Sequence, residues 1–213
     1  MSESIRVLLV DDHMVVRIGF KMLLDATPDI RVVAEADSAD AAYQQIAENA
    51  LDVVVMDIGL GGTSGVEATK RILARDKNAR VLALSSHEDP SYVRFMLKAG
   101  ALGYLSKRSA PEELIQAIRQ VAQGHMYLDA HVSQRIALQE FNGERSPLDI
   151  LSEREFGVFL MLAKGGSVNQ IAVTLSVSPR TIGTHLYNIK QKLSAANHAE
   201  LALIALRHGL IAL

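Results

Sequence analysis

The chain has 213 residues, which is long for one domain and sufficient for two, and it contains no cysteine. The missing cysteines exclude disulfides and thiolate metal sites, and no apolar stretch reaches the roughly 18–20 residues that span a bilayer. The net charge of −2 is uneven, because residues 152–213 carry six basic and three acidic residues whereas residues 1–151 carry 16 and 21. A basic C-terminal part suits a polyanion, although a solvated surface would look the same. With no basic leader segment at the N-terminus, we expect a cytoplasmic protein that does not contact a membrane.

Up to residue 123, short β-branched runs alternate with helical patterns. The runs predict five strands: Ile5–Val10, Arg31–Ala36, Val53–Met56, Val81–Leu84 and Gly103–Leu105. The patterns between them predict helices near Met14–Asp25, after Ser38, near Gly65–Arg75, after Pro90 and after Ser109–Pro111. The first helix has an apolar stripe (Val15, Val16, Phe20, Leu23, Leu24), and Ser109 with Glu112 has capping-box spacing. Five β–α units predict an α/β domain over residues 1–123, with a five-stranded parallel, doubly wound, flavodoxin-like sheet.

The pattern changes after Gly124. Residues 124–150 are expected to form a linker that includes one short helix, over Asp129–Glu140. Residues 151–213 predict an all-α domain of four helices. Capping boxes open the first two, at Ser152–Glu155 and Ser167–Gln170, and Ser178–Pro179 opens a third that runs to Lys192. The last helix, about His198–His208, is expected to end at Gly209. The short separation of the second and third helices, at Ser176–Val177, matches a helix–turn–helix.

Polar side chains stand at the ends of four predicted strands: Asp11 with Asp12, Asp57, Ser85 and Lys107. An isolated aspartate in such a position more often caps a loop or a helix. The carboxyl ends of parallel strands, however, meet at one edge of a sheet, so we expect these side chains to converge. Carboxylates are the hard oxygen ligands that Mg²⁺ prefers, and Lys107 adds a cation for a transferred anionic group. The sequence therefore predicts a phosphoryl site.

Four segments match the motifs of a known family: Val10–His13, Met56–Ile58, Leu84–Ser86 and Gly100–Lys107. Through these segments, residues 1–123 resemble the receiver domain of bacterial two-component response regulators. The resemblance implies that Asp57 is the phosphoacceptor for the phosphohistidine of a sensor histidine kinase. It also implies that Mg²⁺ is held by Asp57, by Asp12 directly, by Asp11 mostly through water, and by the backbone carbonyl of Gly59. Ser85 and Tyr104 would form a switch pair that moves after phosphorylation, and Lys107 would bind the phosphoryl group.

Two positions beside Asp57 depart from the family pattern. Gly61 stands where relatives usually have proline, and Leu60–Gly62 predicts a more flexible loop, because glycine loses more entropy on ordering. Gly59 stands where relatives commonly have a side chain, so water access to an aspartyl phosphate is expected to differ. Neither change removes a group that the chemistry requires.

The helix that begins at Pro179 has two different faces. Ile182, Leu186, Ile189 and Leu193 recur at helical spacing and are expected to face the core. The opposite face is polar and basic and has no acidic residue, unlike an ordinary exposed helix, which mixes both signs. Such a face suits base edges and phosphates in a major groove. The residues expected to contact DNA are Asn169, Ser178, Arg180, Thr181, Thr184, His185, Tyr187, Asn188, Lys190, Gln191 and Lys192.

Residues 151–213 resemble the LuxR/NarL-type DNA-binding domain. The resemblance rests on Leu151–Glu155, Leu162–Gly165, Leu175–Ser178 and Thr181–His185, and the chain is most similar to the GacA/UvrY/SirA group of the NarL/FixJ family. It implies double-stranded promoter DNA as a partner and a homodimer in the phosphorylated or DNA-bound state. In the last helix, Ala199, Leu203, Ala205 and Leu206 are available for the dimer contact. Gly183 departs from relatives that carry a polar side chain there.

Three functions compete. The leading hypothesis is a phosphorylation-controlled transcription factor that is not an enzyme. A metal-dependent phosphohydrolase with Asp57 as nucleophile would need a second acid two residues later, where Gly59 stands. In the third hypothesis, the C-terminal domain binds a protein or RNA instead of duplex DNA, because its charge is modest.

Overall fold

The computed structural model describes residues 4–60, 64–86, 90–141, 147–208 and 210–211. Three sequence predictions lie outside these residues: the flexible loop at Gly61 and Gly62, the linker residues 142–146 and the helix end at Gly209. The chain divides into two compact units, residues 1–138 and 139–213. Within the described ranges, no helix is both long and apolar enough to cross a bilayer.

The first unit is an α/β domain built on a parallel sheet, as predicted. Its strands are β1 (Ile5–Val10), β2 (Ile30–Ala36), β3 (Val53–Asp57), β4 (Val81–Ser85), β5 (Gly103–Ser106) and β6 (Tyr127–Leu128). They lie in the order β2-β1-β3-β4-β5-β6. The helices between them are α1 (Met14–Asp25), α2 (Ala39–Glu48), α3 (Gly65–Arg75), α4 (Pro90–Lys98) and α5 (Pro111–Ala122), and α6 (Ala130–Phe141) follows. Two buried clusters, one on each face of the sheet, hold the helices in place.

The predicted count of five strands was wrong, because the described sheet has six. Strand β6 comprises two residues of the expected linker, and it pairs in parallel with Gly103 and Tyr104 of β5. Two residues are too few to show the alternation by which a strand is recognised in a sequence. Gly124, two residues after the end of α5, has a φ of 81°, a left-handed conformation that favours glycine.

Two local predictions in this unit were also wrong. Val15 was expected on the same apolar stripe of α1 as Leu24, yet Val15 is 79% exposed whereas Leu24 is buried. Ser109 does not cap α5, whose N-cap is Ala110 without a side-chain hydrogen bond. The Ser109 hydroxyl instead donates to Asp129 Oδ2 at 2.7 Å. Pro111 starts α5 unaided, because its fixed φ already suits a first helical turn.

The second unit is helical. It contains α7 (Pro147–Ile150), α8 (Glu153–Ala163), α9 (Val168–Thr174), α10 (Pro179–Leu193) and α11 (His198–Arg207). Both predicted capping boxes are present, at Ser152–Glu155 and Ser167–Gln170. Helices α8, α9, α10 and α11 pack around Phe156 and Phe159, which are both almost fully buried. The four-residue helix α7 was not predicted, since it falls in the turn-rich end of the linker.

Helices α9 and α10 form a helix–turn–helix. The turn between them contains Ser176 at a φ of 52°, and Val177 N donates to Ala172 O at 3.0 Å, which closes the end of α9. Ser178 Oγ accepts from Thr181 N at 3.1 Å and caps α10. These local bonds fix the direction in which α10 leaves the turn.

An ion pair between the buried Glu155 and the exposed Lys192 connects α8 to α10. Glu155 Oε2 accepts hydrogen bonds from Ser152 N at 2.8 Å and from Lys192 Nζ at 2.6 Å. Burial alone would raise the pKa of Glu155, but the hydrogen bonds from Lys192 and Ser152 outweigh it and hold the pKa below its ordinary value of 4.5. Because the folded pKa is lowered, this stabilisation is present above about pH 4.5 and is lost as the pH falls through the folded value.

We therefore expect Glu155→Gln to weaken the second unit at pH 7 but not under acid conditions. The measurement is the protection of α8 and α10 amides against hydrogen exchange in the full chain, normalised to the intrinsic rate at each pH. Glu153→Gln, in the same helical turn, is the control. A difference between Glu155→Gln and the native chain that persists below pH 3.5 would contradict this account.

Two glycines lie within helices of the second unit and have open space around the position of a Cβ atom: Gly157 in α8 and Gly183 in α10. Glycine costs a helix interior roughly 0.5–1 kcal/mol relative to alanine. We expect Gly183→Ala to stabilise the unit by that amount, with Gly157→Ala as the matched control. Hydrogen-exchange protection of α10 measures the change, and a loss of protection only in Gly183→Ala would show that the glycine has a packing role.

Candidate functional site

The predicted acidic residues meet at the carboxyl edge of the sheet. Asp11 and Asp12 directly follow β1, and Asp57 ends the neighbouring strand β3. One possible ligand atom from each of Asp11, Asp12, His13 and Asp57 lies within 4.8 Å of the others. Asp11 and Asp57 are buried, at 1% and 3% exposure, whereas the Asp12 side chain is 29% exposed. The cluster therefore opens to solvent on the side of Asp12.

Lys107 neutralises part of this negative charge. Its Nζ lies 2.6 Å from Asp11 Oδ2 and 2.9 Å from Asp57 Oδ2. Its backbone N–H donates to Ser85 O at 2.7 Å, so the end of β4 fixes the base of the lysine. Burial lowers the pKa of Lys107, but the hydrogen bonds to Asp11 and Asp57 outweigh burial and raise the pKa above its ordinary value. Lys107 therefore carries its charge at neutral pH.

Two cluster residues were not singled out from the sequence. His13 Nδ1 lies 2.7 Å from Asp12 Oδ1, and His13 N donates to Asp11 Oδ1 at 2.8 Å. Arg17 Nη1 donates to the carbonyl of Asp11 at 2.6 Å, and Arg17 Nε lies 3.3 Å from Glu35 Oε2 on β2. The only available signals were that His13 adjoins the aspartate pair and that Arg17 lies one helical turn further on. Together these contacts hold the backbone of Asp11 in one position.

Two glycines lie close to Asp57. Gly59 N donates to Asp57 Oδ1 at 3.1 Å, and a Cβ atom at Gly59 would lie 3.7 Å from that oxygen, which is ordinary contact. Gly65, the first residue of α3, is more restricted: a Cβ there would clash with the Asp57 carbonyl and would lie 2.7 Å from Ile58 Cα. Helix α3 can begin directly against the acceptor strand only because residue 65 is glycine.

The predicted switch residues are both buried. Ser85, at 1% exposure, ends β4 beside Asp57, whose neighbour across the sheet is Leu84. Tyr104 lies on β5, opposite Ala83 of β4, and its side chain is completely buried. It belongs to the cluster beneath α4 that includes Val93 and Met96. The structure thus places Ser85 at the end of β4, next to Asp57, and Tyr104 on β5, one strand further out, with Lys107 directly after that strand.

The donor set of this pocket fits Mg²⁺. Three carboxylates supply the hard oxygen ligands that the ion requires, and the exposure of Asp12 leaves room for the waters that it keeps. Gly59 is exposed beside Asp57, and its backbone N–H donates to Asp57 Oδ1. Asp11, Asp12 and Asp57 are therefore the residues that would hold the ion, and the carbonyl of Gly59 stays a prediction from the sequence.

Helix α10 presents a polar face. Ile182 and Ile189 are fully buried, while Arg180, Thr181, Thr184, Gln191 and the 64% exposed Tyr187 are exposed. The remaining predicted contacts on this helix, His185, Asn188 and Lys190, are half-buried, and Asn169 is exposed in the first turn of α9. No residue of α10 is acidic. The exposed face is suited to a phosphate backbone and to base edges.

Two predicted DNA contacts already have structural roles. Lys192 is paired with Glu155, and Ser178 caps α10 while its hydroxyl lies 2.8 Å from the Thr181 hydroxyl. The sequence did not show the Lys192 pair, because the two residues are 37 positions apart. In α11, Ala205 is fully buried and cannot contribute to a dimer contact, whereas Ala199 and Leu203 are exposed.

A parallel sheet with an acidic pocket at its carboxyl edge, followed by a helix–turn–helix unit, defines a regulator that couples a receiver to a DNA-binding domain. Residues 7–119 match the response regulator receiver domain, and residues 149–205 match the bacterial regulatory proteins of the luxR family. The chain belongs to the LuxR-type response regulators of two-component systems.

Similar proteins cover nearly the whole chain. Response regulator UvrY of Escherichia coli (strain K12) is 39% identical over 97% of this chain and 95% of its own length. Response regulator GacA of Pseudomonas aeruginosa is 38% identical over 97% of this chain and 98% of its own. The crystal structure of response regulator ChrA, from a heme-sensing two-component system, is 35% identical, covers 98% of this chain and 99% of its own, and has a TM-score of 0.56.

Proposed function

We propose that phosphorylation of Asp57 by a sensor histidine kinase controls dimerisation of this response regulator and its binding to promoter DNA. The observation that carries the proposal is the position of Lys107 Nζ, which lies within 3 Å of both Asp11 and Asp57 and so places a cation at the acceptor. A phosphoryl group on Asp57 adds negative charge beside that cation, so the lysine gains a new partner. In this proposal the helix–turn–helix is the part of the protein that binds DNA.

The chemistry needs little from the protein beyond position and charge. Asp57 attacks the phosphorus of the kinase phosphohistidine, an O–P bond forms, the N–P bond breaks, and the released imidazole nitrogen takes up a proton. Mg²⁺, when bound, supplies positive charge at the phosphoryl oxygens. Asp11 and Asp12 are positioned to hold that ion, and Lys107 binds an oxygen of the transferred group. Ser85 then donates its hydroxyl to the same group, and Tyr104 adjusts to the space that Ser85 leaves.

We propose that Asp57 receives one phosphoryl group and is not a site of enzymatic turnover. A phosphohydrolase of the kind considered above would need an acid two residues after its nucleophile, and Gly59 provides no titratable group there. Sustained hydrolysis of an aryl phosphate, faster than loss of the phosphoryl group from Asp57 itself, would contradict this assignment.

An exposed apolar stripe on α1 is suited to the kinase. Met14, Val15, Ile18 and Met22 are all exposed, at the spacing of one helical face, and α1 begins two residues after Asp12. A protein that delivers a phosphoryl group to Asp57 must cover the pocket rim, and this stripe lies beside it. We expect Ile18→Glu to slow phosphotransfer from the kinase about tenfold. Acetyl phosphate should still label the Ile18→Glu protein at the normal rate. Val33→Glu, which changes another exposed β-branched residue, should alter neither phosphotransfer from the kinase nor labelling by acetyl phosphate.

Duplex DNA is the proposed ligand of the second unit, through the exposed face of α10. One helix–turn–helix contacts few base pairs, so useful specificity requires a two-fold dimer on a repeated half-site. Ala199 and Leu203 of α11 are exposed and provide a small apolar surface for it. A steep fall of affinity with salt would support phosphate contacts, whereas tight binding to RNA or protein alone would favour the interaction-module alternative.

Labelling of the full chain tests the acceptor directly. Incubation with radiolabelled acetyl phosphate and Mg²⁺ should label the native protein, and Asp57→Asn should remove the label. Asp52→Asn, at the opposite end of β3, is the control and should be labelled normally. Undiminished labelling of Asp57→Asn would refute the assignment.

A further inference from the structure

The segment Tyr127–Val132, here called the strap, runs along the outer edge of β5, the strand that carries Tyr104. Tyr127 and Leu128 form β6 and pair with Gly103 and Tyr104. Tyr127 N donates to Leu102 O at 3.0 Å, and Asp129 N donates to Tyr104 O at 3.2 Å. The backbone of the proposed switch residue Tyr104 is therefore bonded directly to the segment that leads out of the receiver.

The strap also contributes to the buried cluster that contains the Tyr104 ring. Val132, in the first turn of α6, is 1% exposed and belongs to the same buried cluster as Tyr104, Val93 and Met96. Leu128 packs against this cluster, whereas Tyr127 packs on the other face of the sheet. Because protein interiors are close-packed, a ring that shifts within this cluster changes the packing of the cluster to which Val132 and Leu128 contribute.

A single carboxylate fastens the strap to the loop that carries Lys107. Asp129 is 7% exposed, and its Oδ2 accepts the Ser109 hydroxyl at 2.7 Å. Its Oδ1 accepts His131 N at 2.8 Å, and its carbonyl accepts Ser133 N at 2.9 Å, so the same residue starts α6. Ser109 follows Lys107 by two positions, and Ser109 N donates to Ser106 O at 3.1 Å at the end of β5. A short, hydrogen-bonded path thus joins the phosphoryl-binding lysine to the first turn of α6.

We propose that the strap is a clasp that holds α6 on the unphosphorylated receiver and opens when Asp57 is phosphorylated. The inference rests on the proposed function. When Lys107 exchanges Asp11 for a phosphoryl oxygen, the Lys107–Ser109 loop shifts and weakens the Ser109–Asp129 bond. At the same time a displaced Tyr104 ring removes packing from Val132. Both changes act on the same six residues, and α6 is then released for the output step.

Hydrogen exchange of the full chain tests the clasp. We expect the amides of Tyr127 and Asp129, which are bonded to the carbonyls of Leu102 and Tyr104, to exchange about five- to tenfold faster after beryllofluoride and Mg²⁺ are added, since an opened segment loses these partners. Unchanged strap exchange, with altered exchange around Asp57 and Lys107, would overturn the clasp and leave the proposed function intact. Unchanged exchange at both places would contradict the proposed function itself.

Ser109→Ala provides the second test, because it removes the clasp bond and keeps the Asp129 cap on α6. The unphosphorylated variant should show strap exchange about five- to tenfold above the native protein, and it should dimerise in part without phosphorylation. Acetyl phosphate should still label Asp57. Ser133→Ala is the matched control, because it removes a serine hydroxyl from α6, one turn after Asp129. Native-like strap exchange and full dependence on phosphorylation in Ser109→Ala would contradict the proposal.

Discussion

Replacing Lys107 with methionine should strengthen Mg²⁺ binding about tenfold, because a charged ammonium within 3 Å of Asp11 and Asp57 competes with the ion for the same oxygens. The same variant should accept a phosphoryl group from acetyl phosphate and yet gain no DNA affinity, since the ammonium group that would bind the phosphoryl oxygen is missing. Isothermal titration with Mg²⁺ and labelling of Asp57 measure the two effects.

Arg108→Met is the control for this prediction, because it removes an equal charge from an exposed residue next in sequence. Its Mg²⁺ affinity should remain within about twofold of the native value, as expected for a solvent-screened charge. Unchanged or weaker Mg²⁺ binding by Lys107→Met would show that Lys107 does not compete with the ion for these oxygens.

The second large effect is expected at the start of α10. Arg180 is exposed in the first turn of that helix, and Arg180→Ala should weaken DNA binding by tenfold or more, about 1–3 kcal/mol for each lost contact. If Arg180 binds a phosphate, the negative slope of log affinity against log salt should also become less steep by roughly 1 for each protomer. Gel-shift titrations at several salt concentrations give both quantities.

Lys164→Ala is the matched control, since Lys164 is exposed at the end of α8 and lies outside the polar face of α10. Its affinity and salt slope should equal those of the native chain. Equal losses in the two variants would mean that general charge attracts DNA and that α10 is not the recognition helix.

The sequence predicted the sheet and its acidic edge because the relevant signals are local. Five β-branched runs separated by helical patterns determine a parallel sheet, and Asp11, Asp57 and Lys107 stand directly at the strand ends. Their convergence follows from topology alone. Strand β6 was missed because Tyr127 and Leu128 acquire strand geometry only by pairing with β5.

Side-chain orientation was harder to predict than topology. The apolar positions of α1 cover too wide an arc for periodicity to decide which side is buried, so Val15 was placed on the same apolar stripe as Leu24 although it faces solvent. The pairing of Lys192 with Glu155 and that of Ser109 with Asp129 join residues distant in sequence. The tight approach of Gly65 to Asp57 is likewise a tertiary contact. Such contacts leave no periodic signal.

One comparison tests whether phosphorylation of Asp57 controls DNA binding. A duplex selected from random sequences by the phosphorylated protein is titrated with unmodified protein, with acetyl-phosphate-treated protein and with treated Asp57→Ala. The account predicts at least about tenfold tighter binding for the phosphorylated native chain, the size of a typical allosteric coupling, and no gain for Asp57→Ala. Equal affinities in all three would contradict it.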